Sequence, residues 1–267
     1  MKRGTVGITG ISGFIGSALS RHLDRVGIGY VGFVGDLLND EDVGRFFKDG
    51  DFEQVVHLVG TFNPPFENLI RLNVTALQKL LEHGTKRGLK KIILSSTGAV
   101  YGEPIGTESF ETDPLKPNTL YGVSKMYAEE CVHYYTRTTG LEFVIIRFPN
   151  VYGKGNGKGV IDKFIKGIRE TGTVTINGDG TQSRNFLHID DACRAIELCL
   201  KFKGSDIFNI TNPEKVSIND LVDVLKKRYS FSVRHEPANN NLKHLLLNGD
   251  KARSALRFSP KIRTIKI

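Results

Sequence analysis

The sequence predicts an α/β fold in which helices cover both faces of a parallel sheet and a smaller mixed α/β lobe follows. Short runs rich in β-branched residues alternate with helical segments through about the first 150 residues. These runs are apolar throughout, as expected of parallel strands that are buried on both faces. After Asn150 the alternation gives way to a glycine-rich loop and shorter segments of both kinds.

The predicted elements of the first part follow one another in regular order. Strands are predicted over residues 5–9, 31–34, 54–59, 91–95 and 142–147. Helices are predicted from the glycine-rich turn at 10–16 to about Arg25, and over 36–48, 69–87 and 121–138. In the second part, a loop over 153–159 precedes predicted helices at 161–170, 190–200 and 218–228, with a strand at 174–176 and a turn at 177–180.

Composition narrows the classes of function. The net charge of +8 comes from basic residues spread along the chain without a long Lys/Arg run, which favours a basic surface over a nucleic-acid partner. No apolar run approaches the roughly 20 residues that a membrane helix needs. The N-terminus resembles no secretion signal, and the three cysteines lack metal spacing, so we expect a cytoplasmic protein with no metal site and no membrane partner.

Three glycines lie between the first predicted strand and the first helix. Gly10, Gly13 and Gly16 form a G-x-x-G-x-x-G turn, which lets backbone approach a pyrophosphate at a helix N-terminus. The pattern is weak alone, but the strand-turn-helix context is the one it requires. It predicts a Rossmann-like doubly wound sheet, with residues 1–150 as the dinucleotide-binding domain. The chain is expected to cross back near 185–200, and residues 151–267 to form mainly the substrate lobe.

A second group of residues suggests acid–base chemistry. Tyr121 and Lys125 are four apart in a predicted helix and therefore share one face. A lysine ammonium near a phenol is expected to lower the pKa of the tyrosine, which makes it a usable general base. Ser95, Ser96 and Thr97 end a predicted strand, and the carboxyl ends of strands are where ligands bind in such sheets.

The order of these segments carries a family resemblance. The segments 10–16 (GISGFIG), 95–102 (SSTGAVYG) and 121–125 (YGVSK) resemble the extended short-chain dehydrogenase/reductases, and most closely the NAD-dependent epimerase/dehydratases that modify nucleotide sugars. The resemblance covers nearly the whole chain. It continues through 36–40 (DLLND), 57–60 (HLVG), 147–153 (RFPNVYG), 178–191 (GDGTQSRNFLHIDD), 208–211 (FNIT) and 250–260 (DKARSALRFSP).

The resemblance implies a role for each matching residue. The implied catalytic set is Thr97, Tyr121 and Lys125. The implied cofactor-binding residues are Gly10, Gly13, Phe14, Ile15, Gly16, Asp36, Leu37, Val59, Gly60, Ser95, Tyr121, Lys125 and Phe148. The implied substrate-binding residues are Asn73, Thr97, Asn150 and Arg184. For Asn73 and Asn150, capping or bridging within the fold is an equal alternative. The guanidinium of Arg184 suits a sugar-nucleotide diphosphate.

Two departures from the family pattern affect the ligands. Only 20 positions separate Gly16 from Asp36, so the segment that normally carries the ribose-binding acidic residue is shortened. NAD is the expected cofactor, and NADP is not excluded. In residues 237–244 (PANNNLKH), asparagine stands where the family often has a diphosphate-binding arginine, and Lys243 or His244 are candidates to replace it.

The resemblance also bears on the reaction. The dehydratases of this family carry an Asp-Glu pair where this chain has Gly98 and Ala99, which argues against dehydration. A 4-epimerase acting on a nucleotide-diphosphate sugar, most simply a UDP-sugar, is favoured over an NADPH-dependent 4-ketoreductase. A non-catalytic dinucleotide-binding or RNA-binding relative is the remaining alternative. The predicted helices 69–87 and 121–138 resemble a four-helix dimer interface, so a homodimer is expected.

Overall fold

A computed structural model of the chain describes residues 5–238 and 243–265. Its strands are β1 (Thr5–Thr9), β2 (Tyr30–Gly32), β3 (Phe52–His57), β4 (Lys91–Thr97), β5 (Glu142–Phe148), β6 (Asn150–Tyr152), β7 (Thr173–Asn177), β8 (Ser183–Arg184), β9 (Phe186–His188), β10 (Asp206–Asn209), β11 (Val216–Ser217), β12 (Ser232–Glu236) and β13 (His244–Leu245).

The helices alternate with these strands through the first part of the chain. They are α1 (Phe14–Val26), α2 (Asp40–Asp49), α3 (Phe66–Ile70), α4 (Ala76–Lys86), α5 (Leu120–Thr139), α6 (Val160–Thr171), α7 (Ile189–Lys201), α8 (Ile218–Lys226) and α9 (Asp250–Leu256). A π-helical turn, Arg71–Thr75, joins α3 to α4, and a 3₁₀ turn, Gly98–Val100, follows β4.

The main sheet has six parallel strands in the order β2-β1-β3-β4-β5-β10 within the described residues. One apolar cluster packs α1, α7 and α9 on one face, and a second packs α2, α4 and α5 on the other. Adjacent residues of one strand enter opposite clusters, as Ile92 and Ile93 do, because side chains alternate across a pleated strand. The predicted doubly wound α/β class is therefore confirmed.

A separate lobe lies beyond the sheet. Its core is an apolar cluster formed largely by α6, β7, β11 and α8, and β7 pairs in parallel with β12. The chain returns to the sheet from this lobe, because α7 packs against α1 and β10 pairs with β5. None of the helices within 5–238 and 243–265 is both long enough and apolar enough to cross a membrane.

The edge of the sheet beside β2 differs from the prediction. A strand was expected over 31–34, but β2 ends at Gly32 and Val34 is 84% exposed. The chain turns away there because Gly35 adopts a φ of 130°. Helix α2 begins at Asp40 rather than at Asp36, since Asn39 caps it by accepting hydrogen bonds from two backbone N–H groups of its first turn. Within the described residues, β2 is the one strand of the main sheet that lies outside β1.

The predicted helix over 69–87 is interrupted. The π-helical turn Arg71–Thr75 divides it, and Asn73 in this turn is almost completely buried, at 1% exposure. Such turns are rare within helices and often occur at functional sites. Periodicity alone does not reveal the turn.

Candidate active site

The glycine turn between β1 and α1 forms a close-packed corner. A Cβ atom on Gly16 would lie 2.1 Å from the carbonyl oxygen of Gly10, and Gly10 itself has a φ of 73°. Helix α1 begins at Phe14 without a side-chain cap at Gly13, so its first N–H groups face the turn. The corner therefore fits the pyrophosphate of a dinucleotide, which needs close backbone approach and uncapped donors.

The structure brings the three predicted catalytic residues together. Tyr121 lies in the first turn of α5, which Thr119 caps by accepting a hydrogen bond from Gly122 N at 3.0 Å. Thr97, at the end of β4, is hydrogen-bonded to the Tyr121 hydroxyl. Lys125 lies one turn further along α5 and is 4% exposed. The arrangement therefore places a phenol, a hydroxyl and an ammonium at the carboxyl edge of the sheet.

Burial controls the protonation of this group in the ligand-free chain. Burial raises the pKa of Tyr121 to about 12, and the hydrogen bond from Thr97 only partly offsets this effect. Burial also lowers the pKa of Lys125 to about 8, against the opposing charge of Glu129. The expected lowering of the Tyr121 pKa by Lys125 is therefore wrong for the ligand-free chain, because desolvation of the phenolate dominates.

Asn73 bridges the loop after β3 to α5, close to Lys125. Its Oδ1 accepts a hydrogen bond from Thr61 N at 2.7 Å, and its Nδ2 donates to Thr61 O and to Ser124 Oγ, both at 2.8 Å. Ser124 in turn donates to the Tyr121 carbonyl at 2.8 Å. The amide is thus fully used in bridging the loop after β3 to α5. This geometry favours the bridging alternative over direct contact with substrate.

A buried polar network fixes α5 against the sheet. Arg147 on β5 donates to the Glu129 carboxylate from Nε at 3.1 Å and from Nη2 at 2.6 Å. Ser96 on β4 also donates to this carboxylate. Arg147 Nη1 donates to the Tyr101 hydroxyl at 2.7 Å, which donates to Asn209 Oδ1 at 2.9 Å. Because Glu129 is one turn beyond Lys125, the network sets the position of the catalytic helix.

A cavity of about 380 Å³ opens above the catalytic residues. Six of the predicted site residues line it, namely Ile15 of α1, Ser95, Thr97, Tyr121, Phe148 and Asn150. The lining also includes Phe62 of the loop after β3, and Asn156, Lys158 and Gly159 of the glycine-rich loop before α6.

A larger cavity of about 940 Å³ lies in the second lobe. Arg184 and Lys243 line it, together with residues of α6 and β7. Asn150 and Val160 line both cavities, so the two spaces are adjacent and share one wall. Together they offer a small compartment at the catalytic residues and a large one with cationic side chains.

Arg184 is held in place at the second compartment. Its Nη1 donates to Ser183 O at 2.8 Å and to Lys243 O at 3.0 Å. Glu103 accepts hydrogen bonds from the backbone of Lys243 and His244. Burial lowers the pKa of Arg184, and the charge of Glu103 opposes this effect. Of the segment where an arginine was expected, residues 239–242 lie outside the described residues.

The site predicted for the adenosine part of the cofactor lies between β2 and α2. Asp36 is exposed and its Oδ1 accepts a hydrogen bond from Leu38 N at 2.9 Å, whereas Leu37 is buried in the core. Val59 and Gly60 follow β3 on the adjacent strand end, as the resemblance implies. A Cβ atom on Gly60 would lie 3.1 Å from Asn73 Oδ1, so the backbone at Gly60 runs close to the bridge that Asn73 forms.

His57 is a buried residue whose chemistry the sequence did not indicate. It ends β3, and its Nδ1 is hydrogen-bonded to Thr9 Oγ1 at the end of β1, at 2.8 Å. Its Nε2 has no hydrogen-bond partner among the described residues. Burial, together with the nearby charge of Lys125, lowers the pKa of His57 to about 3. The ring is therefore neutral and joins the ends of two strands below the glycine turn.

Sequence reasoning missed Phe62 and Lys158 in the catalytic compartment. The Phe62 ring packs edge-on to Tyr121, with centroids 6.4 Å apart, and Lys158 Nζ lies 5.5 Å from the Phe62 centroid. Phe62 follows the segment 57–60, and Lys158 belongs to a loop that was interpreted only as flexible. Neither residue stands in a recognisable motif, so proximity to Tyr121 is the property that identifies them.

Fold and site together define an extended short-chain dehydrogenase/reductase. The sequence model of the NAD-dependent epimerase/dehydratase family matches residues 6–211, and the chain belongs to this family. It is 33% identical over 244 residues to a putative UDP-glucose 4-epimerase of Methanocaldococcus jannaschii, covering 86% of this chain and 79% of the relative.

Solved structures resemble the chain over nearly its full length. The UDP-glucose 4-epimerase of Thermotoga maritima, solved with UDP-glucose, superposes with a TM-score of 0.90 at 27% identity, covering 96% of this chain and 94% of the other. The UDP-glucuronic acid 4-epimerase of Bacillus cereus, solved with UDP-glucuronic acid and NAD, gives 0.86 at 28% identity, covering 98% and 95%.

Proposed function

We propose that this protein is an NAD-dependent 4-epimerase of nucleotide-diphosphate sugars, most simply of UDP-sugars. The observation that carries the proposal is the pair of adjacent cavities that share Asn150. The smaller cavity holds Thr97 and Tyr121 and has the volume of a sugar site, and the larger one, lined by Arg184, suits the nucleotide and its phosphates. The family of the chain and the activities of its relatives support the same assignment.

Each catalytic residue has a defined task in this proposal. The Tyr121 hydroxyl accepts the proton of the sugar 4-hydroxyl and later returns it, and Thr97 orients the same oxygen by hydrogen bonding. Lys125, close to the bridge that Asn73 forms, binds the cofactor ribose and supplies positive charge near the phenol. NAD bound along the glycine turn would supply the acceptor for the C4 hydride and return that hydride to the opposite face.

The protonation of Tyr121 follows from its surroundings. With a pKa of about 12 in the ligand-free chain, the phenol is protonated at neutral pH. Activity as a base requires a lower pKa, and the positive charge of a bound oxidised nicotinamide would favour the phenolate. The protonated Tyr121 is therefore the acid form of the site, and cofactor binding is expected to release its proton.

The test of this proposal is conversion of a nucleotide sugar. UDP-glucose, UDP-N-acetylglucosamine and UDP-glucuronic acid are incubated separately with the protein and a catalytic amount of NAD, and proton NMR follows the anomeric signals. Appearance of the C4 epimer without net change in cofactor is the expected result. Tyr121→Phe should lower the rate by at least about a hundredfold, whereas Tyr127→Phe, on the exposed face of the same helix, should leave it unchanged.

A 4-ketoreductase would use the same residues, and the same experiment separates it. Stoichiometric oxidation of NADPH with a 4-keto nucleotide sugar, together with no epimer from any of the three substrates, would replace the epimerase assignment. Neither conversion, in protein shown to bind NAD, would favour a non-catalytic dinucleotide-binding role. The expected absence of a nucleic-acid partner remains a prediction.

We also propose that two copies of the chain associate through α5. Leu120, Tyr127 and Tyr134 are spaced by seven residues and are 56%, 46% and 56% exposed, so they form one apolar row along the helix. A second copy that presents the same row would bury it, as in a symmetric helix pair.

The three cysteines are unpaired in the structure, which supports a reducing compartment such as the cytoplasm.

A further inference from the structure

The smaller cavity has a cationic side chain in its lining that the proposed reaction does not use. Among the described residues that line this cavity, Lys158 is the one cation and Asp162 the one anion. Lys158 Nζ lies 5.5 Å from the centroid of the Phe62 ring, and this ring packs edge-on to Tyr121 with the centroids 6.4 Å apart. The ammonium therefore extends from its exposed loop into the neighbourhood of the catalytic phenol.

The loop that carries Lys158 is anchored on both sides. Asn156 Nδ2 donates a hydrogen bond to Val151 O of β6 at 3.1 Å, which ties the middle of the loop to the strand that contributes Asn150 to the cavity. Helix α6 begins at Val160, two residues after Lys158. The position of the ammonium is therefore set by the same elements that shape the cavity.

Asp162 does not neutralise this cation. It lies in the first turn of α6, where the positive end of the helix dipole favours a carboxylate. Its Oδ2 would lie 3.4 Å from a Cβ atom on Gly159, so the carboxylate is turned back towards the start of its own helix. Within the described residues Lys158 forms no ion pair, and its Nζ lies over the Phe62 ring instead. The ammonium is therefore available to an anionic group in the cavity.

The orientation of a bound sugar follows from the two ends of the site. In the proposed function the C4 hydroxyl lies at Tyr121, and the phosphates lie in the larger cavity with Arg184. C6 is bonded to C5, the ring neighbour of C4, so a group at C6 also lies at the Tyr121 end, where Lys158 is found. A charge-assisted hydrogen bond to a carboxylate is stronger than a cation–π contact at an exposed ring, so a C6 carboxylate can draw the ammonium away from Phe62.

We propose, on the basis of the proposed function, that the sugar of the substrate is a hexuronic acid and that Lys158 selects it by pairing with the C6 carboxylate. A neutral hexose presents a hydroxymethyl group at this position and leaves the ammonium without an anionic partner. Lys158 is therefore a specificity residue, whereas Thr97 and Tyr121 carry the proton transfer with either sugar.

The test measures binding in a variant that does not turn over the substrate. Titration calorimetry of Tyr121→Phe with saturating NAD gives dissociation constants for UDP-glucuronic acid, UDP-glucose and UDP. UDP-glucuronic acid is expected to bind about tenfold or more tightly than UDP-glucose, because the hydrogen bond involves two charged groups. Adding Lys158→Met should abolish this preference and change the affinity for UDP-glucose by less than about threefold. Adding Lys158→Arg, which keeps the charge, should retain a preference for the uronic acid.

Two controls separate a contact with the sugar from other effects of charge. Lys154 belongs to the same loop, is exposed and lines neither cavity, so Lys154→Met should leave the preference unchanged. The dissociation constant of NAD, measured without nucleotide sugar, should be the same with Lys158 and with Met at this position. Thermal unfolding without ligand confirms that each variant is folded.

Failure of the selectivity and failure of the epimerase function give different results. Equal affinities for UDP-glucuronic acid and UDP-glucose, or a preference that survives Lys158→Met, would overturn the inference while leaving the epimerase assignment intact. Weaker binding of NAD by Lys158→Met would assign the ammonium to a cofactor phosphate and would also overturn it. A preference for the uronic acid that depends on Lys158, without conversion of any nucleotide sugar by the wild type, would support the inference and count against the proposed function.

Discussion

Two buried lysines in this protein are expected to affect stability in opposite directions. Burial lowers the pKa of Lys125 from 10.5 to about 8, and the charge of Glu129 opposes this effect only in part. Lys91 is equally buried, but its Nζ donates to the carbonyl oxygens of Cys199, at 3.1 Å, and of Phe202 at the end of α7. Lys125 therefore remains a buried charge that is only partly compensated, whereas Lys91 donates to the last carbonyls of a helix.

The size of the effect follows from the pKa of Lys125. The folded state binds the ammonium proton less tightly than the unfolded state, so stability rises with pH between about 8 and 10.5. At pH 7 the lowered pKa corresponds to a cost of about 3 kcal/mol, and at pH 9 to about 2 kcal/mol. Lys125→Met, which removes the charge and nearly preserves volume, should therefore stabilise the ligand-free chain by up to about 3 kcal/mol at pH 7.

The matched variant is Lys91→Met. It removes the donor to the Phe202 carbonyl, while Cys199 O keeps its hydrogen bond from Phe202 N at 3.3 Å, and the loss should destabilise the chain by about 1–3 kcal/mol. Urea unfolding followed by circular dichroism suits both variants, because the protein has no tryptophan. Measurements at pH 7 and pH 9 are made without cofactor, since a bound ligand would add its own stabilisation.

Three results are expected together. Lys125→Met is more stable than the wild type, its advantage shrinks by about 1 kcal/mol between pH 7 and pH 9, and its epimerase activity is lost. A destabilised Lys125→Met, or an advantage independent of pH, would refute the reasoning that a buried, partly compensated charge is retained at this site at the expense of stability.

Two other predictions concern α5. Glu129→Gln weakens the buried pair with Arg147 and should cost about 3–5 kcal/mol in urea unfolding, whereas Glu130→Gln on the exposed side of the helix should change stability by less than about 0.5 kcal/mol. Size-exclusion chromatography with light scattering should show a dimer for the wild type at micromolar concentration. It should show a folded monomer for the double variant Tyr127→Arg, Tyr134→Arg; a monomeric wild type would contradict the proposed interface.

Short-range spacing accounts for what the sequence alone could determine. The glycine turn lies within seven residues, and Tyr121 and Lys125 are four apart, so both features are set by the local geometry of one turn or one helix. The strand-end hydroxyl Thr97 could be anticipated because parallel strands end at one edge of the sheet. The α/β class followed from apolar strands that need cover on both faces.

The tertiary structure decided the properties that depend on distant segments. Whether Asn73 contacts a ligand or bridges Thr61 and Ser124 depends on how the chain folds between Asn73 and Ser124, which are 51 positions apart. The raised pKa of Tyr121 depends on burial, which no spacing reports. The exposure of Val34 arose only because the chain leaves the sheet after Gly32. Charge, protonation and solvent access depend on the assembled surroundings of a residue, and for that reason the sequence predicts candidate catalytic residues but not the state in which the fold holds them.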